Sequence, residues 1–526
     1  MKRCITRRSF LTGALLIPWL PLFGRGTQAE VKPLAGLELG PAQSFSFDWL
    51  CEQAKQLAAQ PYQAPIIRHA DIVEKIDYDA HLEIQFRPEA ALWRQGDGPY
   101  PVRFFHLGRQ FTMPVKIYAV REGTAREVRY SSQMFNFGKA DFAAALPDDI
   151  GFAGFRVMHS RTDERDWLAF LGASYFRSAG ELDQYGISAR GIAIDTALPT
   201  AEEFPRFSHF WLEPAADPRA VMIYALLEGP SLTGAYRIQA TRQERVTMDI
   251  EAVLFFRTTV QRLGVAPLTS MFWFSETNHQ PSWDWRPEVH DSDGLALWTG
   301  AGERIWRPIN NPPFVRTSSF VDHNPKGFGL SQRDRNFENY QDDLVFYERR
   351  PTLWVEPLEP WGVGVVQLIE IPTNYEISDN IVAYWVPQAP AQAGSTRTFK
   401  YRLHWAADEP YLPARGRVIA TRMGWSTIPK TPPRPAHRVW FAIDFAGGPL
   451  EPLDQQAPIQ LVASATRGSL RNTGAFRVAG TRRWRGNFEI ELEGGEPLDL
   501  RAYLRLGDQA LSETWLYQFI PRTSSS

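Results

Sequence analysis

Turn-forming residues occur along the whole chain and leave few stretches in which a long helix could form. The 526 residues include 40 prolines and 38 glycines, and 13% of the side chains are aromatic. Residues 221–226 and 246–251 instead show the period of two that is typical of half-buried strands. One helix is predicted over residues 47–59, because Pro61 follows it. The sequence therefore predicts a mainly β protein whose antiparallel sheets pack as a sandwich.

A chain of this length is too long for one hydrophobic core, so we expect two domains. Pro410 and Pro413 interrupt strand pairing, and we place the boundary just before them. Residues 30–408 are then expected to form a large β-sandwich, and residues 409–526 have the size of an immunoglobulin-like sandwich. Residues 387–397 are predicted to form an exposed loop between two strands of one sheet.

The N-terminus has the features of a removable export signal. Arg7 and Arg8 precede an apolar run over residues 10–23, which is followed by small residues up to Ala29. This run is shorter than the roughly 20 residues of a membrane-spanning helix. The arginine pair is typical of the twin-arginine export route. We therefore predict a signal peptide over residues 1–29 and a periplasmic mature protein.

Charge and composition argue against nucleic acid as a partner and against a bound metal ion. The chain has 57 Lys and Arg against 59 Asp and Glu, and five of the basic residues lie in the predicted leader. The mature chain is therefore acidic, which argues against nucleic acid as its main partner. Cys51 is the one cysteine left after the leader, and the ten histidines show no metal-ligand spacing. We predict neither a metal nor another cofactor.

Tryptophan is concentrated between residues 272 and 385. This region contains eight of the 18 tryptophans: Trp273, Trp283, Trp285, Trp298, Trp306, Trp354, Trp361 and Trp385. Aromatic rings beside carboxylates can form a carbohydrate-binding cleft, because sugars expose apolar C–H faces as well as hydroxyl groups. The alternative is that these rings pack in the core of a sandwich.

Three segments of the same region are rich in carboxylates and in turn-forming residues: 286–294, 324–335 and 371–380. Hydrolysis of a glycosidic bond needs one protonated carboxyl group and one ionised carboxylate. These segments can supply such a pair, although Asp and Asn are also common in ordinary turns. The residues alone leave both interpretations open.

Several segments resemble the periplasmic glucan biosynthesis proteins of the G and D types. The similar segments are residues 84–93, 104–106, 328–335, 347–357 and 379–385. The twin-arginine leader makes the D type the better match. The resemblance implies a galactose-mutarotase-like N-terminal β-sandwich followed by a smaller immunoglobulin-like domain. It also implies a role with osmoregulated periplasmic glucans, whose backbone is β-1,2-linked glucose, and some members of the family are β-1,2-glucanases.

The resemblance also implies roles for particular residues. Asp379 matches the general acid and Asp291 the carboxylate on the base side, with Asp293 as an alternative, while Glu376 is expected to line the same cleft. The residues expected to contact the glucan are Tyr347, Arg333, Trp385, Trp306 and Trp285. Ion pairing that braces the loop is an alternative role for Arg333. Alternation along the strand allows only one of Tyr384 and Trp385 to face the sugar.

Our leading hypothesis is an endo-acting, inverting β-1,2-glucan hydrolase that shapes periplasmic glucans. One alternative is a non-catalytic protein that binds the glucan beside the membrane glucan synthase machinery. A transglucosylase is a third interpretation, since it would use the same residues with a sugar as the acceptor. The sequence leaves the oligomeric state open, with a dimer as one option.

Overall fold

A computed structural model describes residues 37–521 except 97, 141, 144, 145, 148, 279–283 and 426–436. The predicted leader, residues 1–29, lies outside the described residues. No helix in the described ranges is long and apolar enough to cross a membrane.

Strands dominate the described chain, and their residues alternate as the sequence predicted. Along Val246–Phe256, for example, buried and partly exposed residues alternate over the first eight positions. The strands are, in chain order, β1 (Leu39–Ser44), β2 (Gln85–Phe86), β3 (Val102–Phe105), β4 (Lys116–Arg121), β5 (Thr124–Val128), β6 (Phe135–Asn136), β7 (Gly154–Met158), β8 (Asp166–Leu171), β9 (Tyr175–Ser178), β10 (Ser188–Arg190), β11 (Ile192–Ile194), β12 (Arg206–Pro214), β13 (Ala220–Glu228), β14 (Leu232–Arg242), β15 (Val246–Phe256), β16 (Leu263–Ser270), β17 (Phe272–Phe274), β18 (Val289–His290), β19 (Gly294–Trp298), β20 (Arg304–Pro308), β21 (Arg316–His323), β22 (Gly327–Ser331), β23 (Thr352–Pro357), β24 (Val363–Glu370), β25 (Ile381–Pro387), β26 (Thr396–Ala406), β27 (Arg417–Trp425), β28 (Arg438–Ala446), β29 (Gln460–Ala465), β30 (Ser469–Arg477), β31 (Trp484–Glu491), β32 (Leu498–Leu506), β33 (Gln509–Ala510) and β34 (Thr514–Phe519).

The α-helices of the described ranges are α1 (Phe47–Ala58), α2 (Ala70–Val73) and α3 (Tyr78–Glu83). Helix α1 is the predicted one. The side chain of Ser46 caps it by accepting a hydrogen bond from the Trp49 amide at 3.1 Å. The helix packs on strands β13, β14 and β15.

Two large sheets face each other across one apolar core. The first sheet has the order β1-β5-β4-β12-β13-β14-β15-β26-β23-β22-β19-β20-β34-β32-β29, with β33 beside β32, and the second has the order β21-β24-β25-β16-β10-β9-β8-β7-β3, with β11 beside β16. Buried residues of both sheets share the core, such as Ile250 and Leu403 of the first with Leu268 and Phe170 of the second. The predicted mainly β class with a large sandwich is confirmed.

The C-terminal strands form a second core. A sheet of order β27-β28-β31-β30 packs against the end of the first large sheet, and their apolar residues cluster together with Trp306 and Trp354. Strand β34 pairs in parallel with β20, so the first sheet is continuous from the large sandwich into the C-terminal strands. The boundary predicted at residues 408/409 stays a prediction.

The loop that follows β25 differs from the prediction for residues 387–397. Strand β25 pairs with β16 and β24 in the second sheet, whereas β26 pairs with β15 and β23 in the first. The prediction that the flanking strands share one sheet is therefore wrong. The proline-bearing segment crosses from one sheet of the sandwich to the other.

Arg333 lies in a buried ion-pair cluster between the two cores. Its guanidinium donates to Glu409 at 2.6 Å and to Glu513 at 2.5 Å, and also to the carbonyl oxygen of Val418 in β27. The guanidinium stacks 3.7 Å above the ring of Trp306, and that residue is only 4% exposed. Arg333 and Trp306 therefore brace the junction, and the prediction that they contact glucan is corrected because neither has surface to offer.

Replacement of Arg333 is expected to weaken the junction. In Arg333→Met, the carboxylates of Glu409 and Glu513 stay buried without this partner, and we expect a loss of about 3–5 kcal/mol in the free energy of unfolding. Urea unfolding monitored by tryptophan fluorescence measures it. Arg126→Met, at an exposed position of β5, is the matched control and should change stability by about 0.5 kcal/mol or less. A change of that small size in Arg333→Met would contradict the bracing role.

Candidate active site

Asp379 lies immediately before β25, in a loop that its neighbour Asn380 fixes in place. The buried Asn380 amide donates to the carbonyl oxygens of Phe272 at 2.9 Å and Ile371 at 2.8 Å. Its side-chain oxygen accepts from the Phe272 amide at 2.8 Å. Both ends of the Asn380 side chain are therefore used, which sets the position of the adjacent Asp379.

Asp291 reaches the same region from a different part of the chain. It follows β18, and its backbone amide donates to the carbonyl oxygen of Met271 at 2.8 Å. Its buried carboxylate forms an ion pair with Arg350, whose guanidinium lies 4.2 Å from the ring centroid of Tyr347. The predicted loop over residues 286–294 is thus partly strand, since Val289–His290 pairs with β17.

The two carboxyl groups have different electrostatic environments. Burial raises the pKa of Asp379 to about 7, and the negative charge of Asp291 adds to the rise, while Arg177 and Arg350 oppose it. Burial also raises the pKa of Asp291, but in that case Arg350 opposes the rise through both its charge and a direct hydrogen bond. Asp379 has no such ion pair within the described part of the chain. Asp379 is therefore suited to hold a proton near neutral pH, and Asp291 is the one paired with a cation.

Glu376 lies next to this pair and is held by two donors. Its Oε2 atom accepts from the Tyr347 hydroxyl at 2.6 Å and from Arg286 Nη1 at 2.6 Å. The negative charge of Glu376 is among the influences on the pKa of Asp291. The structure therefore brings Asp379, Asp291, Glu376 and Tyr347 into one cluster, although they come from separate segments.

A buried polar network supports the cluster from behind. His290 makes hydrogen bonds to Gln332 at 2.9 Å and to Glu288 at 3.0 Å. Burial opposes a charge on this imidazole, yet the hydrogen bond and the charge of Glu288 raise the pKa of His290 to about 9. The Gln332 amide also donates to the carbonyl oxygen of Tyr347 at 3.0 Å. This network links the strand before Asp291 to the turn that carries Tyr347.

Asp293, the alternative to Asp291, is bound to the backbone. Its Oδ2 atom accepts from the amides of Arg333 and Asp334 at 3.0 and 2.9 Å. This carboxylate anchors the chain after β22, so Asp291 remains the base-side candidate in our hypothesis.

The C-terminal strands contact the site through a loop after β17. Glu276 accepts from the Thr421 amide of β27 at 3.0 Å, and the hydroxyl of Thr277 donates to the Thr421 carbonyl at 3.0 Å. Further along the same loop, Arg286 makes ion pairs with Asp284, Asp342 and Glu376. Of the described residues in this segment, Glu276 and Thr277 therefore contact the C-terminal strands, and Arg286 contacts the acid cluster.

Two predicted aromatic contacts have different outcomes. Trp285 is 69% exposed and has a ring face that a ligand can reach. Trp385 is completely buried in the core between the large sheets, where its ring lies 6.1 Å from that of Trp361. The prediction for Trp385 is corrected, because alternation along β25 directs it inward. Tyr384 faces the other way but is also buried, against Ile369 and Val382.

Sequence reasoning missed the arginines of the site. Arg350 lies within the segment 347–357 that carries the family resemblance, and the Arg349-Arg350 pair there was a usable signal. Arg177 stands in a segment without a distinctive local pattern. Arg286 opens the carboxylate-rich segment 286–294, but only the tertiary structure shows that both arginines lie near the carboxylates of the site. Among the described residues, no group of three or more His, Cys, Asp or Glu side chains could hold a metal ion. The prediction that no cofactor is needed stays a prediction.

Fold and site together define a mainly β protein with two hydrophobic cores. Several loops of the large sandwich form its acid cluster. The family model described as "Periplasmic glucan biosynthesis protein, MdoG" matches residues 45–519. The chain belongs to this periplasmic family, as the resemblance predicted.

Similar proteins cover nearly the whole chain. Glucans biosynthesis protein D 2 of Ralstonia nicotianae is 50% identical over 98% of both chains. Glucans biosynthesis protein D of Xanthomonas oryzae pv. oryzae is 46% identical over 97% of this chain and 96% of its own. The same-named protein of Stenotrophomonas maltophilia is 44% identical over 98% of both chains.

Two solved structures show a weak similarity to this chain. A galactose mutarotase related enzyme from Lactobacillus acidophilus is 9% identical, with a TM-score of 0.21 over 50% of this chain and 94% of its own. A polysaccharide lyase is 8% identical, with a TM-score of 0.22 over 71% of this chain and 45% of its own. Neither comparison carries an argument about the site.

The raised pKa of Asp379 implies a pH-dependent cost to stability. The folded chain holds this proton with a pKa of about 7, and the unfolded chain with one of about 4. The folded state therefore loses stability as the pH rises from about 4 to about 7. Asp379→Asn cannot ionise, and we expect it to raise the free energy of unfolding by about 4 kcal/mol at pH 8 but by well under 1 kcal/mol at pH 4.

Urea unfolding of the variant and the parent protein at both pH values measures this difference. Asp343→Asn, at an exposed position of the nearby loop, is the matched control and should have little effect at either pH. An equal gain for Asp379→Asn at pH 4 and pH 8 would show that Asp379 does not titrate as described.

Proposed function

We propose that this protein hydrolyses β-1,2-linked glucan in the periplasm, by endo cleavage that controls the structure of periplasmic glucans. The observation that carries the proposal is the pair of carboxyl groups, Asp379 and Asp291, whose surroundings differ in charge. The pKa of Asp379 is raised to about 7 by burial and by Asp291, and Asp291 is ion-paired with Arg350. Family membership and the names of the relatives support glucan as the substrate class.

In the proposed reaction, Asp379 donates its proton to the glycosidic oxygen as the bond from that oxygen to the anomeric carbon breaks. A water molecule forms the new bond to the anomeric carbon from the opposite face, and Asp291 receives the proton that this water releases. The ionised form of Asp291 is favoured by Arg350. Because water attacks opposite to the leaving group, the anomeric configuration is inverted.

Other groups of the cluster would hold the sugar and shape the site. Arg286 and Tyr347 both donate to Glu376, which orients this carboxylate for contact with sugar hydroxyls. Trp285 offers an exposed ring on which a glucosyl unit can stack. Export by the twin-arginine route through residues 1–29, and work beside the membrane glucan synthase machinery, belong to the same proposal.

Incubation of the purified protein with linear β-1,2-glucan, followed by measurement of chain length, tests the hydrolase directly. We expect progressive shortening with accumulation of intermediate lengths, as endo cleavage requires. Full-length glucan that persists at high protein concentration would contradict the proposal. Bound but uncut glucan would indicate the non-catalytic binding protein, and products longer than the starting chains would indicate the transglucosylase.

Asp379→Asn is expected to bind the glucan and to lose at least about 10³-fold in kcat, because the variant cannot supply the proton. Reducing-end assays measure turnover, and calorimetry measures binding. Asp343→Asn serves as the control and should retain normal turnover. Unchanged turnover in Asp379→Asn would remove Asp379 from the role of acid.

The configuration of the first product distinguishes the geometry of attack. NMR spectra recorded early in the reaction are expected to show new reducing ends in the α-configuration, since the substrate is β-linked. New ends that appear first in the β-configuration would indicate a covalent intermediate on Asp291 and would contradict the step written above.

A further inference from the structure

Arg177 is a cation near Asp379 that has no protein partner in the described ranges. It lies on β9 and is partly buried. Its guanidinium is 5.3 Å from the ring centroid of Tyr185, but it makes no hydrogen bond or ion pair with the side chains or carbonyls that the structure describes. By contrast, the buried guanidinium groups of Arg286 and Arg350 are held by carboxylates. The nitrogen atoms of Arg177 keep access to solvent, so its donors are available for a ligand.

Strand register places Arg177 on the face of the second sheet that is turned away from the core. Val382 of β25 pairs with Thr269, and Thr269 pairs with Ser188. Because Ala189 pairs with Phe176, Ser188 lies opposite Arg177. Directly paired residues share a face. Val382 belongs to the apolar cluster outside the main core, whereas Phe176 lies within that core.

This row of residues leads from Arg177 to the loop that carries Asp379. Four adjacent strands separate the two ends of the row by about 14 Å of backbone, a span that a long arginine side chain can partly cover. Asp379 precedes β25 at the same end of the sheet. The charge of Arg177 acts on Asp379 together with those of Asp291 and Arg350.

Tyr175 stands two residues before Arg177 and shares its face. Its ring lies 5.1 Å from the guanidinium of Arg190, which is itself held by Glu202 at 3.0 Å. The Tyr175 hydroxyl has no hydrogen-bond partner among the described residues, and Asp379 is one of the charges acting on it. Tyr175 and Arg177 therefore carry unpaired polar groups on one face of the second sheet, and both interact electrostatically with Asp379.

We propose that Arg177, with Tyr175 beside it, binds the hydroxyl groups of the glucosyl unit next to the bond that Asp379 cleaves. This inference rests on the proposed function. A glucosyl unit linked through its C1 and C2 atoms keeps adjacent free hydroxyls on C3 and C4. The planar fork of a guanidinium can donate to both at once, whereas an ammonium group acts as a single point charge. Arg177 thus disfavours glucans that are linked through C3 or C4, because such a linkage removes one of these two hydroxyls.

The same placement predicts an effect on the pH profile. The charged groups acting on Asp379 are Arg177 on β9, Asp291 after β18 and Arg350 after the turn Tyr347–Arg349. Removal of the Arg177 cation makes the ionised form of Asp379 less favourable. The alkaline limb of kcat/KM against pH should therefore move to higher pH.

Arg177→Met and Arg177→Lys separate the two effects. We expect Arg177→Met to lose at least about 10-fold in kcat/KM on β-1,2-glucan, since it loses charged hydrogen bonds, and to shift the alkaline limb upward. Arg177→Lys keeps the charge but not the fork, so it should keep the parental pH profile and still lose kcat/KM. Arg126→Met on β5 is the matched control and should match the parent in both.

Failure of this inference is distinguishable from failure of the proposed function. If the parent protein cleaves β-1,2-glucan and both Arg177 variants stay within twofold of it, Arg177 does not bind substrate. If the parent does not cleave, calorimetry with β-1,2-glucan still tests the contact. If Arg177→Met binds the glucan at least about 10-fold more weakly than the parent does, the result supports a contact between Arg177 and the glucan. Equal binding overturns this contact. Should Arg177→Met fail to fold, Arg177→Lys decides by the same criteria.

Discussion

The ion pair between Asp291 and Arg350 is the interaction on which the site depends. Two carboxyl groups brought together in a partly buried place repel each other when both are ionised. Arg350 compensates the charge of Asp291, and the pKa of Asp379 rises to about 7 under burial and that neighbouring charge. A single cation, paired directly with one acid and not with the other, thus gives two chemically identical side chains different electrostatic surroundings.

The architecture explains how residues so distant in sequence can meet. Asn380 fixes the start of β25, and the pairing of β17 with β18 fixes Asp291. The first sheet continues from β20 into β34, and Arg333 closes the junction with buried ion pairs. Contacts of Thr421 with the loop after β17 extend this support to the acid cluster. The C-terminal strands are therefore part of the framework of the site.

The sequence predicted the class of fold because strand periodicity and turn residues are local properties. The helix after Ser46 and the sandwich were predicted in this way, whereas the family was predicted from the resemblance of several segments. The roles of Arg333, Trp306 and Trp385 were not, because burial depends on which sheet covers a residue. Arg177 was likewise not predicted as a residue near the site. Its position opposite Ser188 follows from strand register, which no local pattern encodes. The roles assigned to Asp379 and Asp291 came from family resemblance, because no local pattern distinguishes a catalytic carboxylate from one in an ordinary turn.

The location of protons on the two carboxyl groups tests the account most directly. A neutron crystal structure of the unliganded protein at pH 6 would show them. We expect a deuteron on the carboxyl group of Asp379 and none on that of Asp291, with the Arg350 ion pair intact. Both groups ionised at that pH, or the proton on Asp291 instead, would contradict the division of roles on which the mechanism rests.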